Sequence, residues 1–217
     1  KAFFSALEAK LGPCPIVAED LGFLTPSVYR LLSDTGYPGM KVLQFAFDSR
    51  DGGGSLYQPH NYTPHCVAYV GTHDNDTALG WLHTADAGDV ALAREYLHLD
   101  AAEGEGWGMM RAIWSSVADL SIVTMQDVLS LGSDARINTP STLGGNWCWR
   151  ALPGYATEQA ARRLHRAMEL YGRLPKAEVA ARDAALNAEA AAEAWAAQSD
   201  ARVQLSEETT RLGGAYH

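Results

Sequence analysis

The chain has 217 residues, 47% of them apolar, enough for one domain with a sizeable core. A formal net charge of -9 with no basic patch argues against nucleic acid or an anionic membrane surface as a partner. No apolar run approaches membrane-spanning length, and the first residues do not read as a signal peptide. Cys14, Cys66 and Cys148 are odd in number and form no CxxC pair, so they read as reduced, mostly buried thiols of a cytoplasmic protein.

In chain order, Lys1 to Leu11 reads as the interior of an amphipathic helix with Phe3, Phe4, Leu7 and Leu11 on one face, which implies a piece of a longer chain. Pro15 to Ala18 is a short strand. A helix from about Ser27 to Thr35 follows, capped near Thr25 with Pro26 in its first turn and stopped by Gly36-Tyr37-Pro38-Gly39. Lys41 to Phe47 is the next strand, and Asp48 to Ser55 a Gly-rich loop. Cys66 to Val70 is a third strand, leading into Gly71-Thr72-His73-Asp74. Helices then cover roughly Asp89 to His98 and Gly108 to Asp119, and Leu120 to Met125 is a fourth strand with Gln126-Asp127 at its end. Strand-then-helix units in this order predict an α/β fold with a parallel sheet, either half of an eight-fold barrel or an open doubly wound sheet.

The remainder differs in character. Glu158 to Tyr171 is an amphipathic helix closed by Gly172 and Pro175. Lys176 to Ala197 is Ala-rich and favours helix by propensity, but Val179, Leu186 and Trp195 are its only bulky apolar residues, too thin a stripe for a core face. It reads as an exposed helix or linker, with a polar, loose tail from Ser199 to His217. The boundary between the two parts falls near residue 175.

Two segments carry the chemistry: Ile16-Val17-Ala18-Glu19-Asp20-Leu21-Gly22 and Gly71-Thr72-His73-Asp74-Asn75-Asp76-Thr77. Each is an apolar run ending abruptly in acidic groups, and in α/β barrels chemistry sits where the strands end. Glu19 lies at the edge of an apolar wall, where loss of solvent favours the protonated form that a general acid needs. Carboxylates at strand ends also serve as plain helix caps, and a His-Asp pair is often only a structural contact.

The two segments together resemble the amylomaltases, the 4-α-glucanotransferases of glycoside hydrolase family 77. Their fifth barrel strand ends in Ala-Glu-Asp-Leu-Gly and their seventh in Gly-Thr-His-Asp-Asn-Asp-Thr. Further matches keep the family's order: residues 38–47, Pro59-His60-Asn61-Tyr62, Gln126-Asp127-Val128-Leu129, then Asn138, Pro140, Gly145-Asn146-Trp147 and Trp149-Arg150. The resemblance implies the second half of a (β/α)8 barrel, strands five to eight, over residues 1–175. It implies Glu19 as acid/base, Asp74 as transition-state stabiliser, and His73, Asp20, Phe45, Asn75, Gln126, Asn138, Asn146 and Trp147 as groups that bind an α-1,4-glucan. Tyr57, Tyr62, Trp147 and Trp149 suit stacking on sugar faces or ordinary packing. No metal or cofactor is implied.

The implied reaction is retaining transglycosylation: a carboxylate attacks the anomeric carbon, Glu19 protonates the departing oxygen, and Glu19 then activates a sugar hydroxyl in place of water. The family's nucleophile is an Asp in an Arg-x-Asp-His segment upstream of the Ala-Glu-Asp motif, and no Asp precedes Glu19 here. This chain alone is therefore expected to be inactive. Ser141-Thr142 also stands where the family has Gly-Thr, so the loop at Pro140 is expected to bend differently. Two other readings are a non-catalytic glucan-binding remnant, and a metal-dependent hydrolase built on His60, His65, His73 and Asp74; the latter lacks any HxH or HExxH spacing.

Overall fold

The apolar run after Pro64 forms the middle of the fold. Strand β2 (Cys66–Tyr69) lies between β1 (Gly39–Val42) and β3 (Leu120–Ile122), all parallel, with Gly39 opposite Cys66 and Val67 opposite Leu120. The computed structural model describes residues 1–22, 24–50 and 54–213. Two compact units divide them, Lys1–Tyr171 and Gly172–His217. The buried part of the sheet lies in β1 and β2, where Val42, Val67, Ala68 and the following Val70 are almost fully enclosed.

Helices α1 (Ala2–Leu11) and α2 (Pro26–Thr35) precede the sheet, and neither buries a residue fully. The apolar face expected on α1 is only half covered: Phe4 and Leu7 are half-buried, while Phe3 and Leu11 stand exposed. Pro26 opens α2 and Gly36, at φ 69°, closes it.

The strand expected at Pro15 to Ala18 does not form. Its partner would be β1, and one rung exists, from the Ala18 N–H to the Pro38 carbonyl at 2.9 Å. The next rung would bring the Met40 N–H to Ala18. Asp20 takes that donor instead, accepting it on Oδ1 at 2.6 Å. The carboxylate fits because residue 39 is glycine: a Cβ there would collide with Asp20 Oδ2.

The strand expected at Lys41 to Phe47 ends at Val42, and Leu43–Phe47 forms a tight helical turn. Leu43, Ala46 and Phe47 are buried together, a spacing that suits a helix face as well as a strand core. Among the described residues the link from β1 to β2 is made of short turns, Leu43–Phe47 followed by Gly54–Tyr57 and Pro59–Asn61.

Between β2 and β3 lie α3 (Ala78–Thr84), α4 (Ala87–Leu97) and α5 (Glu105–Trp114). Thr77 and Asp86 cap α3 and α4, accepting from the N–H of Gly80 at 3.0 Å and of Gly88 at 2.8 Å. Helix α5 stops five residues short of the expected end, because the hydroxyls of Ser115 and Ser116 turn back onto the carbonyls of Ala112 and Ile113. Leu43, Phe47, Val70, Met109, Met110 and Ile113 form the core between these helices and the sheet. Strand β3 is cut short where Thr124 caps the single turn α6 (Met125–Val128).

Helix α7 (Glu158–Leu170) packs Leu164, Ala167 and Met168 on this core, and the Arg163 guanidinium stacks 3.8 Å from the Trp107 ring. Helix α8 (Lys176–Gly213) is one continuous run through the stretch expected to be loose. Its Leu186 is exposed, the side chain of Trp195 lies outside the described residues, and so do residues 214–217. Cys66 is buried, Cys14 half-buried and Cys148 exposed, so the expectation of mostly buried thiols holds for only one of the three.

Candidate active site

The carboxyl ends of β1 and β2 open onto a cleft of about 710 Å³ that Glu19, Met40, Phe45, Thr72, His73, Asp74, Asn75 and Pro140 line among others. Its wall after β2 is a tight turn. The Asn75 Oδ1 accepts from the backbone N–H and the hydroxyl of Thr72, each at 2.9 Å, and the Asn75 N–H returns to the Thr72 carbonyl at 3.2 Å. That closure presents His73 and Asp74 at the rim. His73 Nε2 stands 3.2 Å from Asp74 Oδ1, and each side chain is about half exposed.

The loop after β3 completes the constellation. Asn138 Nδ2 donates to Asp74 Oδ1 at 2.6 Å, while its backbone N–H donates to the His73 carbonyl at 3.1 Å. Arg136 reaches across the same junction, from Nη2 to the Asp74 carbonyl at 2.6 Å and from Nε to the Asn138 carbonyl at 2.8 Å. Trp147, at φ 61°, sets its ring 5.1 Å from the His73 imidazole.

Glu19 lines this cleft but is exposed, so the apolar wall anticipated from Ile16 to Ala18 does not close over its carboxyl. Asp20 points back to β1, as described. Gln126 is buried and donates from Nε2 to the Ala135 carbonyl at 3.1 Å, beneath the rim. Asn146 holds its own loop, accepting from the Thr139 N–H at 2.9 Å. Tyr62 is buried and donates to the Tyr57 carbonyl, so it cannot offer a face to a sugar. The residues gathered at the mouth are thus Glu19, Phe45, His73, Asp74, Asn75 and Asn138, with Trp147 beside His73.

Asp127, noted in the sequence only as a strand-end residue, supports the site together with Gln44 and Arg136, whose roles the sequence did not mark. Asp127 is almost fully buried and accepts from the Ala78 N–H at 2.7 Å, pinning the start of α3. Burial pushes its carboxyl above the ordinary Asp range, against the lowering effect of the bonds from Ala78 and Thr124. Gln44 donates from Nε2 to the Asp76 carbonyl at 2.9 Å, tying the turn after β1 to the turn after β2. A buried polar side chain just past a strand is the one local signal that could have marked Gln44 and Asp127.

A second cavity, of about 540 Å³, adjoins the first through Phe45 and Asn75 and carries Asp48, Arg50, Trp81 and Asp89. The Arg50 guanidinium holds the Asp48 carboxyl below its usual range through bonds of 2.8 and 2.6 Å. The histidines of the metal reading face different partners: His60 meets the Tyr96 hydroxyl at 2.6 Å and His65 the Gly36 carbonyl at 2.7 Å. Among the described residues, no three His, Cys, Asp or Glu side chains are grouped to hold a metal ion.

A parallel α/β frame that gathers acidic groups and an imidazole at its strand ends is a common architecture of enzyme sites. Residues 1–155 match the family model described as 4-alpha-glucanotransferase. The 4-alpha-glucanotransferases of Clostridium butyricum and Synechocystis sp. are 49% and 47% identical over 173 and 175 residues, which cover 78% and 80% of this chain. The solved amylomaltase from Streptococcus agalactiae in complex with acarbose superposes with a TM-score of 0.74 at 37% identity, over 79% of this chain and 34% of that one. The chain belongs to the 4-alpha-glucanotransferase family. It spans about a third of the length of the curated relatives it matches, 35% and 34% for these two.

Proposed function

We propose that this chain supplies the acid/base and charge-stabilising side of a 4-α-glucanotransferase site, within residues 1–175 read as strands five to eight of a (β/α)8 barrel. Residues 176–213 are read as an appended helix, and the enzyme as cytoplasmic. The observation that carries the proposal is the shared cleft: Glu19, His73 and Asp74 line one opening in a chain of this family, with Asn138 bound to the Asp74 carboxylate.

On this reading Glu19 protonates the glycosidic oxygen as the aglycone departs. Asp74 sits against the positive charge that develops at the anomeric carbon, its orientation fixed beforehand by Asn138 and His73, as electrostatic preorganisation requires. His73 and Asn75 offer hydrogen bonds to sugar hydroxyls, and Phe45 with Trp147 offers apolar faces. The attacking carboxylate comes from outside this chain, and the second step delivers the glucosyl unit to a sugar hydroxyl.

Maltotriose disproportionation tests the proposal. The purified chain alone is expected to show none, and mixing it with the amino-terminal two thirds of the Clostridium butyricum relative is expected to restore transfer. Glu19→Gln in that mixture should lower the rate at least about a hundredfold, the usual contribution of a general acid. Transfer by the isolated chain, or full activity with Glu19→Gln, overturns the assignment.

A further inference from the structure

We infer that Arg136 is the positioning residue of this site, acting through the main chain and not on the sugar; the inference rests on the glucan reading above. Two of its donors go to the carbonyls of Asp74 (2.6 Å) and Asn138 (2.8 Å). Those are the two residues whose side chains meet at 2.6 Å, the Asn138 amide donating to the Asp74 carboxylate. One planar guanidinium therefore spans the junction between the turn after β2 and the loop after β3, and fixes how far apart the two side chains begin.

The surroundings support that role. Arg136 follows the single turn Ser133–Ala135, which is itself anchored twice. The Ser133 hydroxyl donates to Asp76 Oδ2 at 2.7 Å, and the Ala135 carbonyl accepts from Gln126 Nε2 at 3.1 Å. The guanidinium faces the second cavity and the small polar space beneath the Thr72–Asn75 turn; it does not line the cleft that holds Glu19 and Asp74. It is placed to hold the site from behind. Lysine keeps the charge but has a single ammonium, which cannot hold two carbonyls in one fixed plane. Without the brace the Asn138 loop keeps its N–H bond to the His73 carbonyl but loses both guanidinium ties, so the Asn138 amide is held less firmly on the Asp74 carboxylate.

The test uses the whole chain, labelled with nitrogen-15, and compares wild type with Arg136→Lys and Arg136→Ala. The Asn138 side-chain amide, assigned through Asn138→Asp, reports its bond to Asp74. Acarbose titrated by calorimetry reports the assembled cleft. In both variants the amide is expected to lose its downfield shift and slow exchange, with acarbose affinity down about tenfold, the effect of roughly one lost hydrogen bond. Millimolar guanidinium should restore the amide signal in Arg136→Ala. An unchanged Asn138 resonance in a folded variant overturns the inference. If wild type binds no acarbose even when mixed with the amino-terminal two thirds of the Clostridium butyricum relative, the glucan reading falls, and the Asn138 resonance still decides the role of Arg136. Should Arg136→Ala fail to fold, Arg136→Lys carries the comparison.

Discussion

At the scale of single residues, buried polar groups do much of the organising. Asp127 binds its proton more tightly folded than unfolded, because burial disfavours its charge. Folding stability therefore falls as pH rises from the ordinary carboxylate range to the raised value. Asp127→Asn keeps an acceptor for the Ala78 N–H and removes the charge, so urea denaturation at a series of pH values should show that slope flattened. Asp127→Ala leaves the buried Ala78 N–H without its acceptor and should cost about 1–3 kcal/mol. Ser141 offers the opposite case. It holds φ 63°, a left-handed conformation that costs a side-chain-bearing residue about 1 kcal/mol, and Ser141→Gly should recover that amount in the same assay. Gly39→Ala must displace the Asp20 carboxylate and is expected to destabilise by about 1–3 kcal/mol. In an Asp20→Ala background the same change should cost far less, a coupling that a double-mutant cycle measures directly.

At the scale of elements, local chemistry decided which were legible. Pro26 with Gly36, and the amphipathic run from Glu158 closed by Gly172 and Pro175, marked α2 and α7 in the sequence at nearly their observed bounds. Thr157 accepts from the Ala160 N–H at 3.1 Å, so Thr157→Ala should cost about 1 kcal/mol and fray α7 first, visible as faster amide exchange over its opening turn. Leu43–Phe47 was hidden because a short apolar run reads alike as strand or turn, and α3 because seven residues containing Gly80 give no periodicity. The strand before Glu19 failed for a tertiary reason, the capture of Met40 by Asp20, which no local pattern announces. The site divides the same way. Glu19, His73 and Asp74 stand in motifs, whereas Arg136 works on backbone carbonyls, one of them 62 residues away, and leaves no signature of spacing.

At the scale of the molecule, the sheet has an unfinished margin. Strand β3 pairs only with β2 among the described residues, and its Leu120 and Ile122 are 48% and 41% exposed. An open, apolar strand edge invites pairing with other chains. Ile122→Lys should reduce concentration-dependent association in light scattering while leaving the unfolding midpoint nearly unchanged, since the side chain is already half in water. The junction of Asp20 with Gly39 has a different reach, into the history of the sequence. A lineage can lose the glycine cheaply only after it has lost the carboxylate, and losing the carboxylate first strands the Met40 amide. Each residue thus shelters the other from drift, and the pair can outlast the chemistry beside it. Survival of the pair in any copy of this gene would record its packing and not the transfer of sugar.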